Sequence, residues 1–425
     1  MRISSTSSSS ILMMLGVIVL LGAAAGLVQA QSGGTHGVSP EWGLPTQVSQ
    51  SAADSIGVVG RGMAIDSQGR LHVVWTETQD GHAAYYAYSD DGGVTWSDGV
   101  DVSRSPMPAF GPNIAVGPDD TLHIIWNDRR NGTAQLYYSR STDGGLTWSD
   151  PIEISGSPAR DVSAPQISVD DNGRVHVAWH IGDPETDTEP TMVYYTRSLD
   201  GGITFETPRA LNTTDNHEAF VRFNIQGTSG DLLPLSWRVQ SERGDWDIYV
   251  GISTDGGETF TITNVFSPPT EDYDPEIIAT PDGTLHLAFF TTRGGTSAIL
   301  YMSSIDQGQS WSQPTVLSDA RARFPFWVPD YEHGVLWLFW KDERDFTTEN
   351  CGPGRIRCAD IVARYSTDDG ATWSELEFAT DRGSTEIRFP SPAVGPDGRV
   401  HVIWSDRSAG DIEQVFISSR LTAPQ

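Results

Sequence analysis

Ser141-Thr142-Asp143-Gly144-Gly145-Leu146-Thr147-Trp148 is the stretch on which the fold of this chain turns. Its pattern, Ser-x-Asp-x-Gly-x-Thr-Trp, also occurs as Ser89, Asp91, Gly93, Thr95 and Trp96. It returns as Ser198, Asp200, Gly202, Thr204 and Phe205, then as Ser253, Asp255, Gly257, Thr259 and Phe260. A looser copy has Ser304, Asp306, Gly308, Ser310 and Trp311, and the sixth has Ser366, Asp368, Gly370, Thr372 and Trp373. Residue chemistry makes each a hairpin turn. The aspartate folds back onto backbone N–H groups, the glycine supplies positive φ, and the aromatic packs as the next strand begins. Asp91, Asp143, Asp200, Asp255, Asp306 and Asp368 are therefore read as structural.

Working outward, an apolar strand ending in an aromatic recurs seven times, at residues 71–75, 122–126, 175–179, 233–237, 285–289, 336–340 and 400–404. A turn such as Pro-Asp-Gly (281–283 and 396–398) often precedes it, with a further apolar strand upstream and a Tyr-rich strand downstream. Each unit thus reads as strand A, turn, strand B, loop, strand C, aspartate turn, strand D. Only six units have the aspartate turn; the seventh stops after its third strand, near residues 413–419. Its missing fourth strand is found at the front. Leu44-Pro45-Thr46-Gln47-Val48-Ser49 resembles the D strands at 99–103 and 151–155. An N-terminal strand that completes the last blade removes a free sheet edge. Residues 31–425 divided by seven give roughly 56 per unit, the size of a four-stranded blade. The expectation is one all-β domain over residues 41–425, a seven-bladed β-propeller closed by the N-terminal strand.

Composition narrows the partners. Asp and Glu number 56 against 27 Lys and Arg, a formal charge of -29. Such a surface repels nucleic acid and anionic lipid. Lys341 is the one lysine, so any positive site must be built from arginine, which grips carboxylates bidentately. The arginines are not a general basic patch, and several fall at the inner ends of blades, where a small anion could still be held. Arg2, an apolar run and the small-x-small ending Val28-Gln29-Ala30 read as a signal peptide over residues 1–30, with an uncleaved anchor as the alternative. Residues 31–40 read as a flexible linker. The expectation is a secreted, periplasmic or cell-surface monomer, with no membrane attachment after cleavage. Cys351 and Cys358 suit a disulfide closing a small loop in an exported chain.

The repeated turns resemble the Asp boxes of the BNR-repeat propellers, the superfamily that includes sialidases. That resemblance spans nearly all of the mature chain and speaks to fold more than to activity. It implies an exo-glycosidase acting on carboxylated sugars, or a non-catalytic propeller that binds a glycan or protein. An envelope scaffold is a third reading.

In an up-and-down blade the A–B turns and Asp boxes share one face. The B–C loops and D–A connections share the other, which is longer, more varied and better suited to binding. Polar residues cluster at the ends of B strands on this loop face: Glu77, Asp128, Arg130, His180, Arg238, Arg344 and Asp406. The repeated Trp-x-Asp-x-Arg there also reads as an ion pair bracing neighbouring blades. D–A connections bring Arg61, Arg222, Arg323, Arg388 and the run Asp272-Tyr273-Asp274 to the innermost strands. The candidate ligand-binding residues are Arg61, Arg222, Arg323, Arg388, Asp128, Arg344 and Asp406, with an ion-paired role as the alternative for each arginine.

The resemblance implies further roles. Sialidases open their first blade with Arg-Ile-Pro, whose arginine joins a triad on the substrate carboxylate. The matching place here is Arg61-Gly62-Met63, with methionine where the proline would be. They also use a tyrosine nucleophile with a carboxylate partner and an acidic acid/base residue. Tyr273, Asp274, Tyr331 and Glu77 are the candidates here, none of them in a distinctive motif. Sialidases have six blades, against seven counted here.

No cofactor or metal is implied. There is no phosphate-binding glycine loop, no His-Glu-x-x-His and no Gly-x-Ser-x-Gly. His72, His123, His176, His286 and His401 recur once per blade, which reads as packing or a blade-to-blade hydrogen bond.

Overall fold

The computed structural model describes residues 38–57, 60–78, 81–156, 158–182, 190–211, 217–222, 230–293, 296–318, 321–344, 359–380, 387–407 and 411–421. Their strands form seven antiparallel sheets that follow one another along the chain. Blade 2 is representative: strands A to D are Ala109–Val116, Leu122–Asp128, Gln135–Ser141 and Ile152–Glu153. Each blade packs on the next, and strand A of blade 7 (Arg388–Val394) meets strand A of blade 1 (Met63–Ile65). The molecule is a closed seven-bladed β-propeller.

Closure runs through the N-terminal strand. Thr46–Gln47 pairs antiparallel with Gln414–Ser419, the third strand of blade 7, as Thr46 opposite Ile417 and Gln47 opposite Phe416. Just upstream, buried Trp42 donates its indole N–H to Glu377 Oε2 at 2.9 Å, and Arg420 pairs with the same carboxylate at 3.0 Å. One segment therefore stitches the last two blades together.

The core lies between the blades, as seven apolar clusters. The aromatic that ends most B strands is buried there; Trp126, Trp179, Trp237, Trp340 and Trp404 are almost wholly inaccessible. Removing such a ring from water contributes on the order of 2–3 kcal/mol.

The Asp boxes join adjacent blades by a fixed chemistry. In all six, the Ser Oγ donates to Asp Oδ1 at 2.7–2.8 Å and accepts the Gly N–H at 2.8–2.9 Å. The Thr or Ser hydroxyl donates to Asp Oδ2 at 2.6–2.7 Å. Gly145 has φ +87°, and its missing Cβ leaves room for the Tyr86 hydroxyl of the blade before. Trp148 stands edge-on to the Tyr86 ring, with centroids 5.0 Å apart. The repeated histidine completes this unit. His72 Nδ1 lies 2.8 Å from the Tyr86 hydroxyl, which donates to Gly144 O at 3.2 Å. His123 with Tyr138, His176 with Tyr195 and His286 with Tyr301 repeat the contact at 2.7–2.9 Å. The histidine bond thus stays within its blade, and the tyrosine makes the contact to the next one. Burial pushes His72, His123 and His401 down to about 4, so these rings are neutral at neutral pH.

Candidate functional site

Strand A carries an irregularity at the same place in blades 2 to 7, close to its loop-face end. The register with strand B slips after its first residues, for example between Phe110 and Asn113, Tyr273 and Glu276, and Arg323 and Phe326. In four of these blades the residue before a proline has positive φ: Gly111, Ala164, Asp274 and Phe324, at +46° to +63°. A residue preceding proline ordinarily stays extended, so the ring of bulges holds strained backbone at the channel mouth. Bulges of this kind re-aim the side chains that follow. Blade 1 reaches the same end differently. Its innermost strand breaks into Ser55–Ile56 and Met63–Ile65, both paired with Leu71–Glu77, and Arg61 sits at the break.

Arg61 crosses from blade 1 to blade 5. Its Nη2 lies 2.7 Å from Glu276 Oε1, and its backbone N–H donates to Asn113 Oδ1 at 2.7 Å. Glu276 Oε2 also accepts the backbone N–H of Trp327 at 3.1 Å. Burial pushes the Glu276 carboxyl above its ordinary range, opposed by the charges of Arg61 and Arg222. Arg61 itself is lowered by burial, opposed by Glu276.

Beside this pair, buried Asp274 lies within the electrostatic reach of three arginines. Burial raises its carboxyl, while Arg222, Arg238 and Arg323 pull it back down. Arg222 is buried with its guanidinium 5.4 Å from the Phe326 ring, and no carboxylate of the described residues comes within ion-pair distance. Arg238 lies 4.2 Å over Trp246 and 5.0 Å over Tyr273. Arg323 stands 5.9 Å from the Phe290 ring, with its Nε 3.9 Å from Glu343. Tyr273 stacks on Phe290 at 5.1 Å and donates its hydroxyl to Glu271 Oε2 at 3.1 Å. The mouth therefore combines guanidinium groups on aromatic faces, a carboxyl biased toward its protonated form, and a tyrosine–glutamate pair. That set can hold an anion and move a proton.

Of the residues expected at a site, the structure brings together Arg61, Arg222, Arg323, Tyr273 and Asp274. Tyr331 sits in the A–B turn of blade 6, on the opposite face, where its hydroxyl donates to Ala279 O at 2.6 Å. Glu77 accepts the Ser55 hydroxyl at 3.0 Å and the Thr78 N–H at 3.1 Å. Asp128 accepts the Trp126 indole at 3.1 Å and pairs with Arg130 at 2.6 Å; Asp406 accepts the Trp404 indole at 2.7 Å. Asp342 pairs with Arg344 at 2.9 Å, and Arg344 lies 5.4 Å from the Phe378 ring. Trp-x-Asp-x-Arg thus braces its own loop and also reaches a neighbouring blade: Arg130 donates to Ser103 O at 2.9 Å, and Arg407 pairs with Asp54 at 3.1 Å. Cys351, Cys358 and the side chain of Arg388 lie outside the described residues. Among the described residues no group of three or more His, Cys, Asp or Glu is placed to hold a metal ion.

Glu276 was not singled out from the sequence, and Arg238 only as one of many polar strand ends. The usable signal was the proline that recurs at one offset in strand A, as Pro112, Pro165, Pro275, Pro325 and Pro390. The residue after it is the one the bulge re-aims.

Comparison with known proteins places this architecture. A sialidase of Bacteroides fragilis is 26% identical over 352 residues, 72% of this chain and 62% of that protein. The chain therefore spans less than two thirds of the length of this relative. Among solved structures, a polysaccharide lyase, an ulvan lyase bound to -[GlcA(1-4)Rha3S]-, superposes with a TM-score of 0.58 at 12% identity, over 87% of this chain and 95% of that one. A Hadza microbial sialidase superposes at 0.51 and 17% identity, over 82% and 73%. At these identities the likeness is one of fold. The BNR repeat-like domain matches residues 45–177 and 155–402, which together span most of the chain, and the protein belongs to that family, as an Asp-box propeller of the sialidase superfamily.

Proposed function

We propose that the loop-face mouth takes an anionic, carboxylated sugar, and that the protein is an exported, sialidase-like glycoside hydrolase acting as a single chain. The guanidinium groups of Arg222, Arg238 and Arg323, held on aromatic rings near buried Asp274, carry this reading. Three guanidinium groups beside the mouth offer a sugar carboxylate planar donors that it can meet with paired hydrogen bonds. The B. fragilis relative is a sialidase, and the ulvan lyase structure holds a uronic acid unit, so acidic sugars are the ligand class to test.

In the proposed reaction the Tyr273 oxygen attacks the anomeric carbon as Glu271 takes its proton. The glycosidic C–O bond breaks, and Asp274 gives its proton to the leaving oxygen. Water, deprotonated by the same carboxylate, then releases the sugar and restores the tyrosine. The experiment is hydrolysis of fluorogenic sialosides and glucuronides by the whole protein, alongside Tyr273→Phe. Turnover lost in the variant supports the assignment. No turnover, with retained binding on an anionic glycan array, moves the site to the non-catalytic reading. That second reading has its own support: the Tyr273 ring is packed between Phe290 and the Arg238 guanidinium, which limits its motion toward a substrate.

A further inference from the structure

The central channel holds a cavity of about 340 Å³ on the Asp-box side of Arg61, bounded by strands A and A–B turns of blades 1, 2, 3, 6 and 7. It is distinct from the loop-face mouth and independent of the reading given to that mouth. Space exists there because the inner strands present small residues in one layer, among them Ala64, Ala115 and Ala393. The volume falls at the lower end of small-molecule pockets, about 300–1,000 Å³.

Its two ends differ in charge. Among the described residues Arg61 is the sole basic one lining it, and its Nη2 is held by Glu276 at 2.7 Å. A guanidinium has more donors than this one carboxylate oxygen takes up, so an acceptor brought by a ligand is favoured. The walls are aliphatic, from Met63, Ile114 and Val328. At the turn end Asp120 and Glu332 line the opening, in a chain of formal charge -29. That end favours a cation and opposes a purely anionic molecule. We infer that this cavity is a second ligand site, for a small molecule with an apolar body, a carboxylate or carbonyl directed at Arg61, and an ammonium group at the acidic opening.

The probe is 6-aminohexanoate, titrated into the whole protein by calorimetry and by ligand-observed NMR, with hexanoate as the control lacking the amine. The expected result is saturable binding in the millimolar range, as suits so small a ligand, with hexanoate at least fivefold weaker. Ala393→Leu, which fills the cavity, should abolish binding. Glu332→Gln, at an exposed position, should weaken it several-fold. Arg323→Ala, on the loop face, should leave it unchanged. Absence of saturable binding at tens of millimolar overturns the inference. So does binding that survives Ala393→Leu or disappears in Arg323→Ala. If Ala393→Leu fails to fold, the Glu332→Gln and hexanoate results decide alone: no weakening in either rejects the site.

Discussion

Arg61 and Glu276 face each other across the propeller axis, joined at 2.7 Å, one from the first blade and one from the fifth. They divide the channel into the loop-face mouth and the cavity beyond it. Both are largely withdrawn from water, so removing either leaves the other as a buried, uncompensated charge. Glu276→Ala should lower the unfolding free energy by about 3 kcal/mol, with Glu276→Gln less damaging because the amide oxygen can still accept from the guanidinium. Urea denaturation of the two variants checks this; equal stability of Glu276→Ala and the parent would show that the pair is solvated.

The same cluster gives a pH dependence with a definite sign. Asp274 and Glu276 are raised by burial in the folded state. Groups raised in this way stabilise fully below the ordinary carboxylate range, about pH 4, and that contribution is lost as pH rises through their folded values. Asp274→Asn should therefore reduce the loss of stability that accompanies rising pH above about 4. A thermal unfolding series in buffers of matched ionic strength measures it, and parallel curves for the variant and the parent would contradict it.

The Asp boxes titrate in the other direction. Asp91 and Asp200 are lowered to about 2, chiefly by hydrogen bonds from the Thr95 and Thr204 hydroxyls. Their stabilisation is present above the unfolded value near 4 and is lost as pH falls toward 2. These carboxylates are exposed, so each effect is small, and only several boxes together give a visible trend. A variant carrying Asp91→Asn, Asp143→Asn and Asp200→Asn should unfold less steeply with acid between about pH 4 and 2.

The fold was legible because its parts repeat. Six Asp boxes and seven aromatic-ended strands fix the blade count, and the deficit of one strand at the C-terminus points to Thr46–Gln47. A repeat makes each weak local signal count several times. The site was only half legible, for the opposite reason: it is where blades differ. Arg222 and Arg323 show as odd residues at strand starts, yet their placement with Arg238 near Asp274 depends on bulges and on which blades adjoin. Tyr331 looked like Tyr273 in sequence, each beside an aspartate, but one lies in an A–B turn and the other at the loop-face end of strand A. Glu77, Asp128 and Asp406 repeat, and the repeat uses them as braces.

Gly145 and Tyr86 allow a test of why the box glycine is fixed. Gly145→Ala places a Cβ on the Tyr86 hydroxyl and in a left-handed conformation, a loss expected at about 2 kcal/mol or more. Tyr86→Phe removes only the nearest obstructing atom, because the ring carbons Cζ and Cε1 also crowd that Cβ, and it costs the bond to His72. Tyr86→Ala removes the ring itself, so its combination with Gly145→Ala should be more stable than the sum of the two single losses predicts, by about 1 kcal/mol. Strict additivity in chemical denaturation would place the whole effect in the backbone.

The arginine mouth makes the most direct functional prediction. Arg222 is buried against Phe326 with no carboxylate of the described residues at ion-pair distance, so no ion pair is given up when it meets a ligand. Arg222→Ala should weaken an acidic glycan at least tenfold, equivalent to about 1.4 kcal/mol. Arg222→Lys should recover only part of this, because an ammonium cannot match a carboxylate with two parallel bonds. Arg323→Ala should weaken it less, since Glu343 already draws on that side chain. A neutral glycan should be indifferent to all three, and affinity for the acidic one should fall with salt. Direct titration of paired acidic and neutral glycans separates these outcomes; an equal loss for both would mean that the arginines maintain the mouth and do not read the charge of its ligand.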